Sequence, residues 1–223
     1  MVHIDDDSFW SSMVGHFLAD RLPAAKIRAE ATGRTGIAAA REMQADLVLL
    51  DLSLPDIDGF EVADQLGQEP VPPLVILLSV RMEDAALYRA GLPPCCGFIA
   101  KNYQIKDNLA QALDAAAAGL PFFSPEARLA MRQMRSSPDA FFKILSLTEL
   151  ALVPHLGLGA SDDEIAAELG GKPLTIRNHR RRIMEKLGFH RSIDLIHWAI
   201  ARGFVVVSPG CKPTLRRVRV PAR

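Results

Sequence analysis

Apolar positions along this chain change their spacing from segment to segment. Residues 9–18 set Phe9, Trp10, Met13, Val14, Phe17 and Leu18 on one helical face, at i, i+1, i+4, i+5, i+8 and i+9. Residues 47–54 and 74–78 are instead short, nearly continuous apolar runs, the pattern of parallel strands covered on both faces. Pro55 and Gly59 punctuate a loop after the first run, and residues 60–66 read as the next helix. Residues 98–100 predict a third short strand, and 106–118 an alanine-rich helix ended by Gly119 and Pro121. Strands alternating with helices predict an α/β domain with a doubly wound parallel sheet. In that architecture the loops at the carboxyl ends of the strands carry the chemistry.

The pattern then becomes all-helical. Ser124-Pro125-Glu126 is a helix-start signal for a linker helix to about Arg135, broken by Ser136-Ser137-Pro138. Helices follow at roughly 148–156, 162–169, 173–187 and 192–202, with Ser192 as N-cap of the last and Gly203 as its stop. A short strand is expected at 204–207, and a proline-containing basic tail without structure of its own after it. The resulting division is 1–118, an α/β domain; 119–143, a linker with a helix; 144–207, an all-α domain; and 208–223, the tail.

Composition sharpens this division. The 223 residues carry 26 Lys+Arg against 26 Asp+Glu, and 49% are hydrophobic, enough for packed cores. No apolar stretch approaches the roughly 18 residues of a membrane span. Asp5, Asp6 and Asp7 stand where a signal peptide would be basic, and three cysteines suit neither a disulfide framework nor a zinc site. A cytoplasmic protein without a membrane partner is expected. The neutral total conceals two opposite halves: residues 1–123 hold 9 Lys+Arg and 17 Asp+Glu, a balance of −8, and residues 124–223 hold the reverse, +8. The basic half is the candidate for a phosphate backbone.

Asp5 and Asp6 follow the apolar start 2–4, Asp51 ends the run at 47–50, Ser79 ends "LVILLS" and Lys101 ends "GFIAK". In a parallel sheet these strand ends converge on one edge. Carboxylates gathered there suit Mg²⁺, which takes one or two of them plus a phosphate oxygen. A carboxylate beside such a metal is able to form an aspartyl phosphate. Taken singly, the acidic start, Ser79 and Lys101 have ordinary surface readings. A carboxylate directly after four apolar strand residues is harder to dismiss, because it is expensive to desolvate without a partner.

With "DLSLPDIDG", "GFIAK" and "AAAAGLPFFSPEA", residues 1–135 resemble the receiver half of the NarL/FixJ class of two-component response regulators. The resemblance implies a flavodoxin-like receiver in which Asp51 is the phosphoacceptor. It implies that Asp5 and Asp6 are the acid pair, with Asp6 nearest to Mg²⁺, that Ser79 and Phe98 are the switch pair, and that Lys101 contacts the phosphoryl group. The first strand departs from the pattern in being short and in holding His3, read as a buried, satisfied histidine.

"SDDEIAAELGGKPLTIRNHRRRIMEKLG" reads as two helices about a turn at Gly170-Gly171, with Pro173 opening the second. Ile176, Ile183 and Leu187 form its buried stripe, which leaves Arg177, Asn178, Arg180, Arg181, Arg182 and Lys186 to the other faces. Arg and Asn match guanine and adenine edges, and the remaining basic residues with Thr175 suit phosphates. "TIRNH", "IMEKLG" and "RSIDLIHWAI" resemble the LuxR-type helix-turn-helix. That implies base contacts from Arg177, Asn178 and Arg181, and backbone contacts from Thr175, His179 and Lys186; Arg182 is one of the remaining basic residues suited to phosphates. It also implies a homodimer packed through Leu195, Trp198 and Ala199. Pro154 inside the first helix, and Gly171-Lys172 at the turn, depart from the family pattern; the tail either adds phosphate contacts or is solvated.

These features together predict a transcription factor controlled by phosphorylation: a sensor histidine kinase donates to Asp51, and the C-terminal domain binds double-stranded promoter DNA. No independent enzymatic turnover is expected. A phosphatase or dehalogenase would want an aspartate where Ser53 stands. A regulator acting without phosphate, through dimerisation or a partner, is the alternative.

Overall fold

The computed structural model describes residues 1–206 and the backbone of residues 214–215. The chain divides into two compact units, Met1–Met82 with Leu87–Met131, and Glu83–Ala86 with the residues from Arg132 onward.

The chain opens with β1 (Val2–Ile4), α1 (Ser8–Arg21), β2 (Arg28–Glu30), α2 (Gly33–Glu42), β3 (Leu47–Asp51) and α3 (Gly59–Leu66). It continues with β4 (Leu74–Ser79), α4 (Asp84–Ala90), β5 (Cys95–Ala100), α5 (Ile105–Ala117) and β6 (Phe122–Phe123). The six strands form one sheet in the order β2-β1-β3-β4-β5-β6, every neighbouring pair parallel. The strand order reverses at β1, which places the crevice of a doubly wound sheet at the carboxyl ends of β1 and β3. Val14 and Leu18 of α1 and Leu109 and Leu113 of α5 join Leu49, Ile76, Leu78 and Ile99 in one buried cluster.

β1 is only 3 residues long. It is held from both sides, with Val2, His3 and Ile4 in register with Arg28, Ala29 and Glu30 of β2 and with Val48, Leu49 and Leu50 of β3. Two full ladders on a central strand compensate for its length. β2, α2, α4 and β6 are not legible from apolar spacing. β2 is an edge strand of sequence Arg-Ala-Glu, and β6 has only 2 residues. α2 carries Gly33 and Gly36 in its buried face; a Cβ on Gly33 would lie 2.7 Å from Val62 Cγ2, so close approach replaces side-chain bulk there. The run expected at 47–54 stops at Asp51.

The helical part comprises α6 (Pro125–Ser136), α7 (Phe141–Ile144), α8 (Leu147–Gly157), α9 (Asp162–Leu169), α10 (Pro173–Leu187) and α11 (Ser192–Ala201). Ser146 and Ser161 each begin a helix through a reciprocal capping box, with Glu149 and Glu164 as its second members. Pro154 lies inside α8 without ending it, and its carbonyl accepts the Leu158 N–H at 3.1 Å. The proline does deprive the Leu150 carbonyl of its i+4 donor. Phe141, Phe204 and Trp198 make an aromatic core, with Phe141 edge-on to Phe204 at 5.0 Å and Trp198 stacked on Phe204 at 5.6 Å. β7 (Val205–Val206) pairs antiparallel with β8 (Thr214–Leu215), so residues 214–215 are strand where the sequence pattern predicts a structureless tail. Residue 207 and, apart from residues 214–215, the basic tail at 208–223, with the phosphate contacts considered for it, lie outside the described residues.

Candidate functional site

β1, β3 and β5 deliver Asp5, Asp51 and Lys101 to one sheet edge. Asp5 is held by its own N–H, which donates to the Glu30 carbonyl at 2.9 Å, and its Oδ1 accepts the Asp7 N–H at 3.1 Å. Asp7 in turn caps α1, accepting from Phe9 and Trp10 N–H. The Lys101 ammonium lies 2.8 Å from Asp5 Oδ2 and 3.1 Å from Asp51 Oδ2. Asp5, Asp51 and Lys101 are buried, whereas Asp6 is exposed at the mouth; carboxylate oxygens of Asp5, Asp6 and Asp51 lie within 4.8 Å of one another.

The three carboxyls are electrostatically distinct. Burial pushes Asp51 above the ordinary carboxylate range, Lys101 opposes that, and the Asp5 charge adds to it. Burial also acts on Asp5, but the His3 ring beside it and the Lys101 charge bring its carboxyl below the usual range. Partial burial beside Asp5 raises Asp6. His3 is buried with Nε2 3.5 Å from Asp5 Oδ2, and neither ring nitrogen has a hydrogen bond. The histidine in the first strand is buried, as the sequence predicts, with the Asp5 carboxylate as its partner.

Ser79 closes β4 beside this cluster. It is 1% exposed, its hydroxyl accepts the Arg81 N–H at 3.1 Å, and its carbonyl accepts the Lys101 N–H at 2.9 Å. Phe98 is fully buried on β5, in register with Leu77 rather than in the carboxylate cluster. Phe98 is tied to Ser124, whose N–H donates to the Phe98 carbonyl at 2.9 Å.

Sequence reasoning missed what shapes the loop after β3. Asp56 accepts the N–H groups of Gly33 and Arg34 at 2.8 and 2.9 Å, fastening the loop to the start of α2. A Cβ on Gly59 would collide with the Asp51 carbonyl and lie 2.7 Å from Leu52 Cα. The acids of "PDIDG" were the available signal, since Asp58 also caps α3 through the Phe60 N–H.

The second constellation is α9, a turn and α10. Gly170 ends α9 in the left-handed region at φ 71°, and the Gly171 N–H donates to the Ala166 carbonyl at 2.9 Å. Ile176 and Ile183 are buried, while Thr175, Arg177, Asn178, Arg181, Arg182 and Lys186 are exposed and His179 is half-buried. Several of these cations already meet a carboxylate. Arg180 donates through Nε to Asp162 at 2.9 Å and through Nη2 to the Ala160 carbonyl at 2.8 Å, and Arg177 Nε lies 3.4 Å from the other Asp162 oxygen. Arg181 lies 3.6 Å from Glu185, and Lys186 Nζ 2.7 Å from the buried Glu149. Burial raises the Glu149 carboxyl, but Lys186 and the Ser146 capping bonds bring it below the ordinary range.

Of Leu195, Trp198 and Ala199, expected to pack a dimer, Leu195 and Ala199 are not at a surface. Leu195 is 1% and Ala199 0% exposed within a single chain, because i and i+4 of α11 face α8. A Cβ on Gly157 of α8 would lie 2.7 Å from Ala199 Cβ. Trp198 is half-buried between Phe189 and Phe204, and Ile193 is the large apolar residue that α11 exposes.

Residues 1–114 match the family "Response regulator receiver domain", and residues 143–199 match "Bacterial regulatory proteins, luxR family". The chain belongs to the response regulators, with a receiver domain ahead of a luxR-family domain. It is 27% identical over 205 residues to the response regulator protein VraR of Staphylococcus aureus, covering 92% of this chain and 98% of that one. RcsB of Salmonella typhimurium has a similar structure, with TM-score 0.56 and 21% identity over 89% of this chain and 97% of that one. RcsB in a DNA complex gives TM-score 0.60 and 20% identity over 90% and 96%. Among the described residues, no single helix is long and apolar enough to cross a membrane.

Proposed function

We propose that this chain is a cytoplasmic, DNA-binding transcriptional response regulator whose receiver, residues 1–118, accepts phosphate on Asp51 from a sensor histidine kinase. One observation carries the reading: two buried carboxylates of opposite pKa direction share the buried ammonium of Lys101 at a sheet switch point. In the transfer, the phosphorus–nitrogen bond of a phosphohistidine breaks with its electron pair returning to the imidazole, as an Asp51 carboxylate oxygen forms the new bond to phosphorus. Lys101 is placed to offset the incoming charge, and Asp5 holds Lys101 there.

Asp5, Asp6 and Asp51 offer only oxygen donors, within 4.8 Å of one another and partly open to solvent, which fits a hard cation such as Mg²⁺. These three residues would hold it, and it would supply charge compensation for the phosphoryl oxygens. Phosphate adds a charge of about −1.5 to −2. The Ser79 O–H then gains a phosphoryl oxygen to donate to, a role separate from the bond its oxygen accepts from the Arg81 N–H, and Phe98 repacks behind it. The carboxylate serves as an acceptor and turns over no separate substrate.

After a linker at 119–143, residues 144–207 form the promoter-binding module. Arg177, Asn178 and Arg181 address base edges, and Thr175, His179, Arg182 and Lys186 the phosphates. The solved RcsB dimers bound to DNA support a homodimer on double-stranded DNA. Treating the protein with a small phosphodonor and Mg²⁺ should add one phosphoryl mass to wild type and none to Asp51→Asn. Equal mass gain in both proteins would reject Asp51 as acceptor.

A further inference from the structure

The recognition helix is less free to meet phosphate than its composition suggests, and the reason is one residue of α9. Asp162 opens that helix and is half-buried, and its two carboxylate oxygens reach different arginines of α10. Oδ1 accepts from Arg180 Nε at 2.9 Å, and Oδ2 lies 3.4 Å from Arg177 Nε. Arg180 is thereby fixed: it also donates to the Ala160 carbonyl, and its side chain is 19% exposed. Arg177 is different, because its side chain remains 69% exposed and only its inner nitrogen faces the carboxylate. Its two terminal amino groups are left to an incoming partner. Asp163 follows in the same turn and is exposed.

We infer that Asp162 is a specificity-determining residue for DNA: it holds Arg177 in the orientation that reads a base and withholds both arginines from the phosphate backbone. The inference rests on the DNA-binding reading above. In sequence-independent binding, affinity comes from cations that swing onto phosphates and release counterions. A cation already paired within the protein contributes little to that term, and the Asp162 charge repels an approaching phosphate. A guanine edge is different, since its O6 and N7 are neutral acceptors reached by the terminal amino groups of Arg177. The Nε contact is retained while the base is read. Asp162 therefore lowers binding to any sequence more than binding to the right one, a repulsive element that sharpens discrimination.

The test uses the full-length protein and sites selected from random double-stranded DNA. Affinities for the selected site and for a scrambled duplex are measured across a salt series in wild type, Asp162→Asn and Asp163→Asn. Asp162→Asn should bind the scrambled duplex at least about threefold more tightly and steepen the salt slope by about 1, the value of one added phosphate contact. Its ratio of selected to scrambled affinity should fall several-fold. Asp163→Asn removes the same charge without the arginine contact and should keep the ratio. A folded Asp162→Asn with unchanged ratio and slope would overturn the inference. So would equal losses on both duplexes, which would make Asp162 a brace between helices and nothing more. Should Asp162→Asn fail to fold, Asp162→Glu keeps the charge and displaces it: the slope should hold while the ratio falls, and an unchanged ratio overturns the inference. A wild type that enriches no sequence rejects the DNA reading itself, a result distinct from an enriched site that Asp162→Asn still selects.

Discussion

Replacing Lys101 by Met keeps most of the side chain's length and removes the charge that two buried carboxylates share. Nζ is 2.8 Å from Asp5 and 3.1 Å from Asp51, and the Lys101 side chain is 3% exposed. At an effective dielectric constant near 20, each contact carries about 5–6 kcal/mol of Coulomb attraction. Desolvation of the three groups offsets much of this, and removing one partner of such a cluster costs about 3–5 kcal/mol. A domain of this size should then melt roughly 10–20 °C lower. The pH dependence gives the sharper test. Burial already holds Asp51 above the ordinary carboxylate range, and without Lys101 both carboxyls would bind protons more tightly folded than unfolded. The deficit should be smallest below the ordinary carboxylate pKa and should grow as pH rises through the raised folded values. Urea unfolding followed by Trp10 fluorescence, with Trp198→Phe in both proteins so that α11 is silent, measures this across acid to neutral pH. A variant within about 1 kcal/mol of wild type at every pH, far below the loss expected for a broken buried pair, would refute the reasoning. A deficit that widens towards acid would refute it equally.

Three further outcomes are expected. Asp51→Asn should be more stable than wild type at neutral pH, because the ionised Asp51 is held against its burial; in pH-resolved melting curves the gain should vanish below the ordinary carboxylate range, where both proteins are neutral at this site. Lys186→Met leaves the buried Glu149 carboxylate without its 2.7 Å partner and should destabilise the helical domain by about 1–3 kcal/mol, read by Trp198 fluorescence. Glu149 lies below its ordinary pKa in the folded protein, so the stability it contributes is present above that pKa and is lost as pH falls through the folded value; the Lys186→Met difference should narrow on acidification. Gly59→Ala places a methyl group 2.7 Å from Leu52 Cα, against backbone that has no rotamer to yield, and should destabilise by about 1–3 kcal/mol and slow labelling of Asp51 in the mass assay.

Elements with strong local signals are legible in the sequence itself. α9 and α10 fall at 162–169 and 173–187 as their patterns predict, because a serine cap, a Gly-Gly stop and a proline start bracket them. β2, α2 and β6 are not, since an edge strand of polar residues, a helix packed through glycine and a pair of residues completing a sheet owe their conformation to neighbours distant in sequence. The acid cluster is legible as a set of strand ends, while the asymmetry between Asp5 and Asp51 is not. It arises from His3 and Lys101 approaching one carboxylate more favourably than the other.

Residue types and local spacing by themselves determined the division into an acidic α/β half and a basic helical half, the oxygen-rich strand ends and the basic helix. All of these follow from periodicities and charges that are properties of short segments. Only the tertiary structure decided which cations are free and which surfaces are exposed. Lys186 and Arg180 read as basic surface until the fold brings Glu149 and Asp162, 37 and 18 residues away in sequence, against them. Leu195 and Ala199 read as a seam for a partner until α8 covers them. Charge pairing and burial depend on which segments meet, and segment-level patterns do not contain that information.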